Sequence, residues 1–84
     1  MTIQENWALS VARIEEYLLG LAQARRISAL KYEIDGCELC LQPLEESKVG
    51  RYSFPRTLVT FTGEEGAVAR FHRQFMLRFL TLGG

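Results

Sequence analysis

The sequence predicts an α+β fold: helix–strand–strand–strand–helix, with two helices packed on one face of a three-stranded antiparallel sheet. Three observations carry this. Apolar residues recur at helical spacing near the start of the chain and again near its end. Between them lies an Asp-Gly pair flanked by alternating apolar and polar residues, the strongest short hairpin signal. The chain has 84 residues, is 48% hydrophobic and 24% charged, and so holds one small domain spanning residues 1–84 rather than two cores or a disordered tail.

The opening segment reads as a helix over residues 3–24. Thr2 and Glu5 stand at capping-box spacing. Ile3, Trp7, Val11, Ile14, Leu18 and Leu21 follow at steps of four and three, within an arc of about 80° on a helical wheel. Glu5, Arg13 and Glu16 lie off this stripe, toward water. Arg25 and Arg26 fall where a helix C-terminus favours positive charge.

A hairpin comes next, turning at Asp35-Gly36. That turn places Ile34 opposite Cys37, Tyr32 opposite Leu39 and Leu30 opposite Leu41, all on one dry face. Lys31, Glu33, Glu38, Cys40 and Gln42 make the wet face. Residues 43–56 are ambiguous. Pro43, Glu45-Glu46 and Gly50 suggest a turn, while Val49, Tyr52 and Phe54 suit a strand, and Pro55 calls for a bulge or a strand end. Arg56 to Thr62 is β-branched and aromatic, a strand. Thr62 and Glu65 repeat the capping-box spacing and open a second helix over residues 64–80. Its stripe is Val68, Phe71, Phe75, Phe79 and Leu82, widened by Met76 and Leu80 to about half the circumference. A face that wide has room for the sheet and for either the first helix or another subunit.

Function classes narrow by chemistry. The longest uncharged run is eight residues, from Tyr17 to Ala24, far short of the roughly 20 a membrane-spanning helix needs. The first residues lack the basic start and apolar run of a signal peptide, and two cysteines are too few for a disulfide framework, so a cytoplasmic protein is expected. Cys37 and Cys40 form a C-x-x-C, but residues three apart on a strand point to opposite faces. Cys37 is then expected to be buried and inert, with Cys40 the one possible reactive thiol. With only His72 to help them, a structural zinc site is not expected, and no metal or cofactor is implied. His72 falls inside the apolar arc of the second helix and reads as a packed residue with one bonded nitrogen. No nucleophile elbow, zinc-protease helix, phosphate loop or dinucleotide fingerprint is present, and a non-enzymatic protein is expected.

Charge is asymmetric along the chain. Residues 1–47 carry four basic and eight acidic side chains, and residues 48–84 carry six basic and two acidic. Lys48, Arg51, Tyr52, Arg56, Arg70 and Arg73 combine positive charge with an aromatic, a composition suited to partner-binding surfaces. The leading expectation is a protein-interaction or accessory module, docking on a protein partner or on itself as a homodimer through this surface. The alternative is RNA or DNA binding through the same basic half.

Two family resemblances bear on these readings. The helix–three strands–helix order resembles the double-stranded-RNA-binding domain over Ile3 to Leu80. That family grips phosphate with basic residues before its last helix, whereas this chain has Gly63-Glu64-Glu65-Gly66-Ala67, so no RNA-binding residue is carried across. Gly83-Gly84 resembles the di-glycine tail of ubiquitin-like sulfur carriers. Those begin with a hairpin and hold their helix in the middle, and a glycine following a helix is the alternative explanation.

Overall fold

A computed structural model describes residues 1–80. The element order is β1 (Thr2–Trp7), α1 (Val11–Leu19), β2 (Ala24–Ser28), β3 (Lys31–Ile34), β4 (Cys37–Val49), β5 (Tyr52–Gly63) and α2 (Glu65–Leu80). The five strands form one sheet in the order β1-β5-β4-β3-β2, and every pairing is antiparallel. The class is α+β with two helices on one face of the sheet, as expected. The sheet has five strands rather than three, and the chain opens with a strand rather than a helix.

The correction is concentrated in residues 2–28. The expected helix over 3–24 is split into β1, a nine-residue α1 and β2. Ile3 and Trp7 are four residues apart, and an even spacing satisfies a strand's period of two as well as a helix's 3.6. Thr2 is therefore a strand residue and caps nothing. The true N-cap is Ser10, whose Oγ accepts from the Arg13 N–H at 3.1 Å, and Gly20 caps the other end. Arg25 and Arg26 belong to β2, not to a helix terminus.

The central hairpin is as read. Ile34 pairs with Cys37 and Tyr32 with Leu39, and the Leu41 N–H donates to the Leu30 carbonyl at 2.8 Å. Asp35 and Gly36 both have positive φ (47° and 87°), as a type I′ turn demands. The 43–56 stretch is strand, not loop, on both sides of a turn at Gly50-Arg51. Where Leu44 opposes Arg56 and Ser47 opposes Phe54, Glu45 and Glu46 face Pro55 alone, so the proline sits opposite a bulge. Pro43 is tolerated for a different reason. The Leu41 N–H points toward β3, so the missing N–H of Pro43, two residues on, would point the same way, past the end of β3. At the far end, α2 begins one residue later than expected. Glu64, not Thr62, caps it by accepting from the Gly66 N–H at 3.3 Å, while Thr62 remains in β5.

The core lies between the sheet and the helices. Ile14 and Leu18 of α1 and Val68, Phe71, Phe75 and Phe79 of α2 meet Tyr32, Ile34, Cys37, Leu39, Leu41, Val59 and Phe61. Phe75 is its hub, in ring contact with Trp7, Tyr17, Phe61, Phe71 and Phe79 at 4.8 to 6.3 Å. Tyr17 thereby joins the two helices. The buried Thr57 hydroxyl donates to the Leu9 carbonyl at 2.7 Å, fixing the link between β1 and α1 against β5. Of the α2 stripe, Met76 is half-buried and Leu80 exposed, while Leu82 and Gly83-Gly84 lie outside the described residues.

Candidate functional site: the β4–β5 arm

β4 and β5 are long strands of 13 and 12 residues, and only their inner halves have neighbours. β3 leaves β4 at Cys40 and β1 leaves β5 at Thr57. Beyond these points the two strands continue as a free ribbon, the arm. The molecule accordingly measures 41 × 27 × 24 Å. A strand advances about 3.3 Å per residue, so the twelve steps from Cys37 to Val49 account for the long axis.

The register assigns the arm's faces. Directly opposed residues of an antiparallel pair share a face, so Val49 with Tyr52, Ser47 with Phe54, and Leu44 with Arg56 line one side. That side continues into the uncovered face of the sheet through Leu58 and Gln42, then Thr60 and Cys40. Lys48 and Ser53 occupy the arm's other side. Val49, Tyr52 and Phe54 are 63%, 65% and 44% exposed, an apolar cluster left open among the described residues. Arg56 Nε donates to Ser47 Oγ at 2.8 Å, spanning the bulge. Gly50 makes the tip, with φ 61° at the first of two turn residues.

Of the six residues expected to bind a partner, the structure gathers four. Lys48, Arg51, Tyr52 and Arg56 lie on the arm. Arg70 borders Ile34, Asp35, Ala67, Phe71 and Gln74 at the opposite end of the sheet, and Arg73 is exposed on α2. They do not extend the arm's surface. Phe54 and Val49 complete it instead; both were readable as strand residues but lacked the charge that drew attention to their neighbours. Arg78 is engaged elsewhere, its guanidinium 5.8 Å from the Tyr17 ring and 5.4 Å from the Phe79 ring.

The titratable side chains sit as follows. His72 is 18% exposed, edge-on to Phe61 at 5.0 Å, with Nε2 2.9 Å from Glu5 Oε1. Glu5 also accepts from Trp7 Nε1 at 3.1 Å, so this carboxylate is half-buried on the helix-covered side of the sheet and not fully in water as expected. Burial pushes the Cys37 thiol pKa up, with the Glu38 carboxylate adding to the effect and a backbone hydrogen bond at Thr62 opposing it. Cys40 is half-buried on the uncovered face beside Lys31, which forms a 3.3 Å ion pair with Glu38. Among the described residues, no group of three or more His, Cys, Asp or Glu is placed to hold a metal, and no helix is long and apolar enough to cross a membrane.

The family model described as archaeal MoaD-like protein matches residues 5–84, nearly the whole chain. A comparison with curated proteins gives no match.

Proposed function

Because the chain belongs to the archaeal MoaD-like protein family, we propose that it is a small, non-catalytic accessory domain that docks on acidic protein surfaces through its arm and works as a self-associated unit. One observation carries this reading: the arm holds Val49, Tyr52 and Phe54 exposed on one side, with Arg56 on that side, Arg51 at the turn and Lys48 on the reverse face. A two-stranded ribbon on its own is marginally stable in water, so an arm of this length gains most from a surface laid against it. Tyrosine and arginine supply large contact area and directed donors, and the surrounding positive charge speeds encounter with an acidic partner. A reducing cytoplasm suits the two unpaired cysteines. The engaged state of His72, bonded to Glu5 and edge-on to Phe61, supports the non-catalytic part.

Selection of displayed random peptides on the immobilised protein tests it. Enriched peptides should be rich in Asp, Glu and aromatic residues, and their binding should be lost in an Arg51→Glu, Tyr52→Ser double variant. Enrichment indifferent to those changes rejects the arm as the docking element. Mobility of labelled duplex and single-stranded RNA and DNA at low salt covers the nucleic-acid alternative. A shift that the same double variant abolishes would replace the protein partner with a phosphate backbone.

A further inference from the structure

The two edges of the sheet are built differently, and the difference points to how copies of this chain meet. β2 is a defended edge. It is five residues long, carries Arg25 and Arg26, and its pairing with β3 is broken by a bulge between Arg26 and Ser28. Short length, positive charge and bulges are the devices by which proteins prevent sheet edges from pairing with one another. β1, only one residue longer, has neither the bulge nor the positive charge. Its six residues pair with β5 without interruption, and its one charged residue, Glu5, is turned under the sheet to Trp7 and His72.

The alternation of the β1 backbone can be followed from its first pair. Met1 and Gly63 exchange two hydrogen bonds, Met1 N to Gly63 O at 2.9 Å and Gly63 N to Met1 O at 3.1 Å. In an antiparallel ladder every second residue repeats that arrangement, so Ile3, Glu5 and Trp7 bond to β5. Thr2, Gln4 and Asn6 therefore direct their N–H and C=O groups outward, where β1 has no strand neighbour. Beside this edge runs a groove of about 460 Å³ lined by Glu5, Asn6, Trp7, Met76 and Leu80. It accounts for the apolar flank of α2 that its own sheet leaves open.

We propose that two copies pair through β1, antiparallel about a two-fold axis at Gln4, to give a continuous ten-stranded sheet. A second copy is the occupant favoured by the uncharged outward row Thr2, Gln4 and Asn6 and the apolar flank beside it, since across a two-fold axis like then meets like without repulsion. With Gln4 opposite Gln4 of the second copy and Thr2 opposite Asn6, all three outward residues of each strand are used, making six backbone hydrogen bonds. Sliding the strands by one two-residue step either way leaves four, and in one direction sets Glu5 directly against its counterpart, a like-charge pair. The six-bond register puts uncharged Thr, Gln and Asn side chains along the open face of the seam. On the other face it brings the Met76 and Leu80 flanks of the two α2 helices up to the seam from either side. The interface is isologous and closes on itself. It rests on the self-association in the proposed function but not on the arm.

Gln4→Pro is the decisive variant, because the N–H it removes is turned outward and takes no part in the β1–β5 ladder. Sedimentation velocity over a concentration series should show wild type as a dimer and Gln4→Pro weakened on the order of tenfold or more, with unchanged circular dichroism. A Tyr52→Ser, Phe54→Ser variant should dimerise like wild type. If Gln4→Pro fails to fold, Gln4→Lys, which sets two ammonium groups opposite each other, gives the same reading. A wild type that stays monomeric at every concentration, or a Gln4 variant that folds and dimerises normally, overturns the β1 seam. Loss of the dimer in the arm variant alone moves self-association to the arm. Peptide selection on the monomeric Gln4 variant reports on the arm independently of either result.

Discussion

The inner and outer halves of the β4–β5 hairpin are continuous strands in opposite circumstances. The inner half, from Cys37 to Pro43 and from Thr57 to Gly63, is flanked by β3 as far as Cys40 and by β1 from Thr57 on, and is roofed by the phenylalanines of α2. Leu39, Val59 and Phe61 there are fully buried. Among the described residues the outer half has no further strand beside it and no helix above it, and its largest apolar side chains are exposed. The Glu45-Glu46 bulge opposite Pro55 marks the boundary. Stability should therefore reside almost wholly in one half and recognition in the other, and substitutions can be used to separate them.

The largest effect is expected in the roof of the inner half. Phe75→Ala removes a fully buried ring that touches five others, and should cost about 3–5 kcal/mol, much of what a domain of this size has. Urea titration should find that variant unfolded or nearly so. Gly63→Ala comes next. The φ at Gly63 is 149°, and a methyl there would stand 2.5 Å from the Gly36 carbonyl oxygen, against the turn that starts β4. A loss on the order of 3 kcal/mol in the same titration is expected.

Alkaline pH acts on the same half. Burial raises the pKa of Cys37, and of Tyr32, whose hydroxyl donates to Glu15 Oε2 at 2.6 Å and which gains a further upward push from that carboxylate. Both groups hold their protons to higher pH when folded than when unfolded. Their contribution is complete below the unfolded values, about 8.5 for a thiol and 10 for a tyrosine, and is lost as pH rises toward the raised folded ones. Thermal midpoints should hold steady up to that range and then fall. Cys37→Val should delay the onset; an identical onset would relocate the effect to other groups.

Smaller again is Tyr17→Phe. The Tyr17 hydroxyl is buried without a hydrogen bond of good geometry, Gln74 being the polar side chain nearest in effect. Removing it should leave stability unchanged or raise it by about 1 kcal/mol. The smallest effect belongs to the arm: Tyr52→Ser with Phe54→Ser should shift stability by no more than about 0.5 kcal/mol while abolishing peptide binding. If instead the arm variant unfolds as Phe75→Ala does, the two halves are one cooperative unit and the division fails.

Legibility from sequence followed local chemistry. The β3–β4 hairpin was readable because Asp35-Gly36 and strict alternation support a single register, and α2 because Val68, Phe71, Phe75 and Phe79 recur at three and four. Residues 2–28 were misread where two periods coincide, at Ile3 and Trp7, although Ser10 and Gly20 bracket the true α1. β2 carries almost no pattern, since four of its five residues are exposed and pairing with β3 alone makes it a strand. For the site, the bases and Tyr52 were visible, but their assembly was not. Arg70 and Arg73 share a charge with the arm and not a location. The β1 edge was hidden entirely, because an element taken for helix presents no edge.

The arm also determines how the molecule rotates. A particle of 41 × 27 × 24 Å tumbles faster about its long axis than across it, and sheet N–H bonds lie across the strands that define that axis. Nuclear spin relaxation of a single copy should thus depend on bond direction as in a short rod. Joining two copies along β1 would extend the breadth at right angles to the arms to roughly 43 Å between the outermost of ten strands spaced about 4.8 Å apart. Such an object is a plate, and its relaxation pattern would distinguish it from two rods lying end to end.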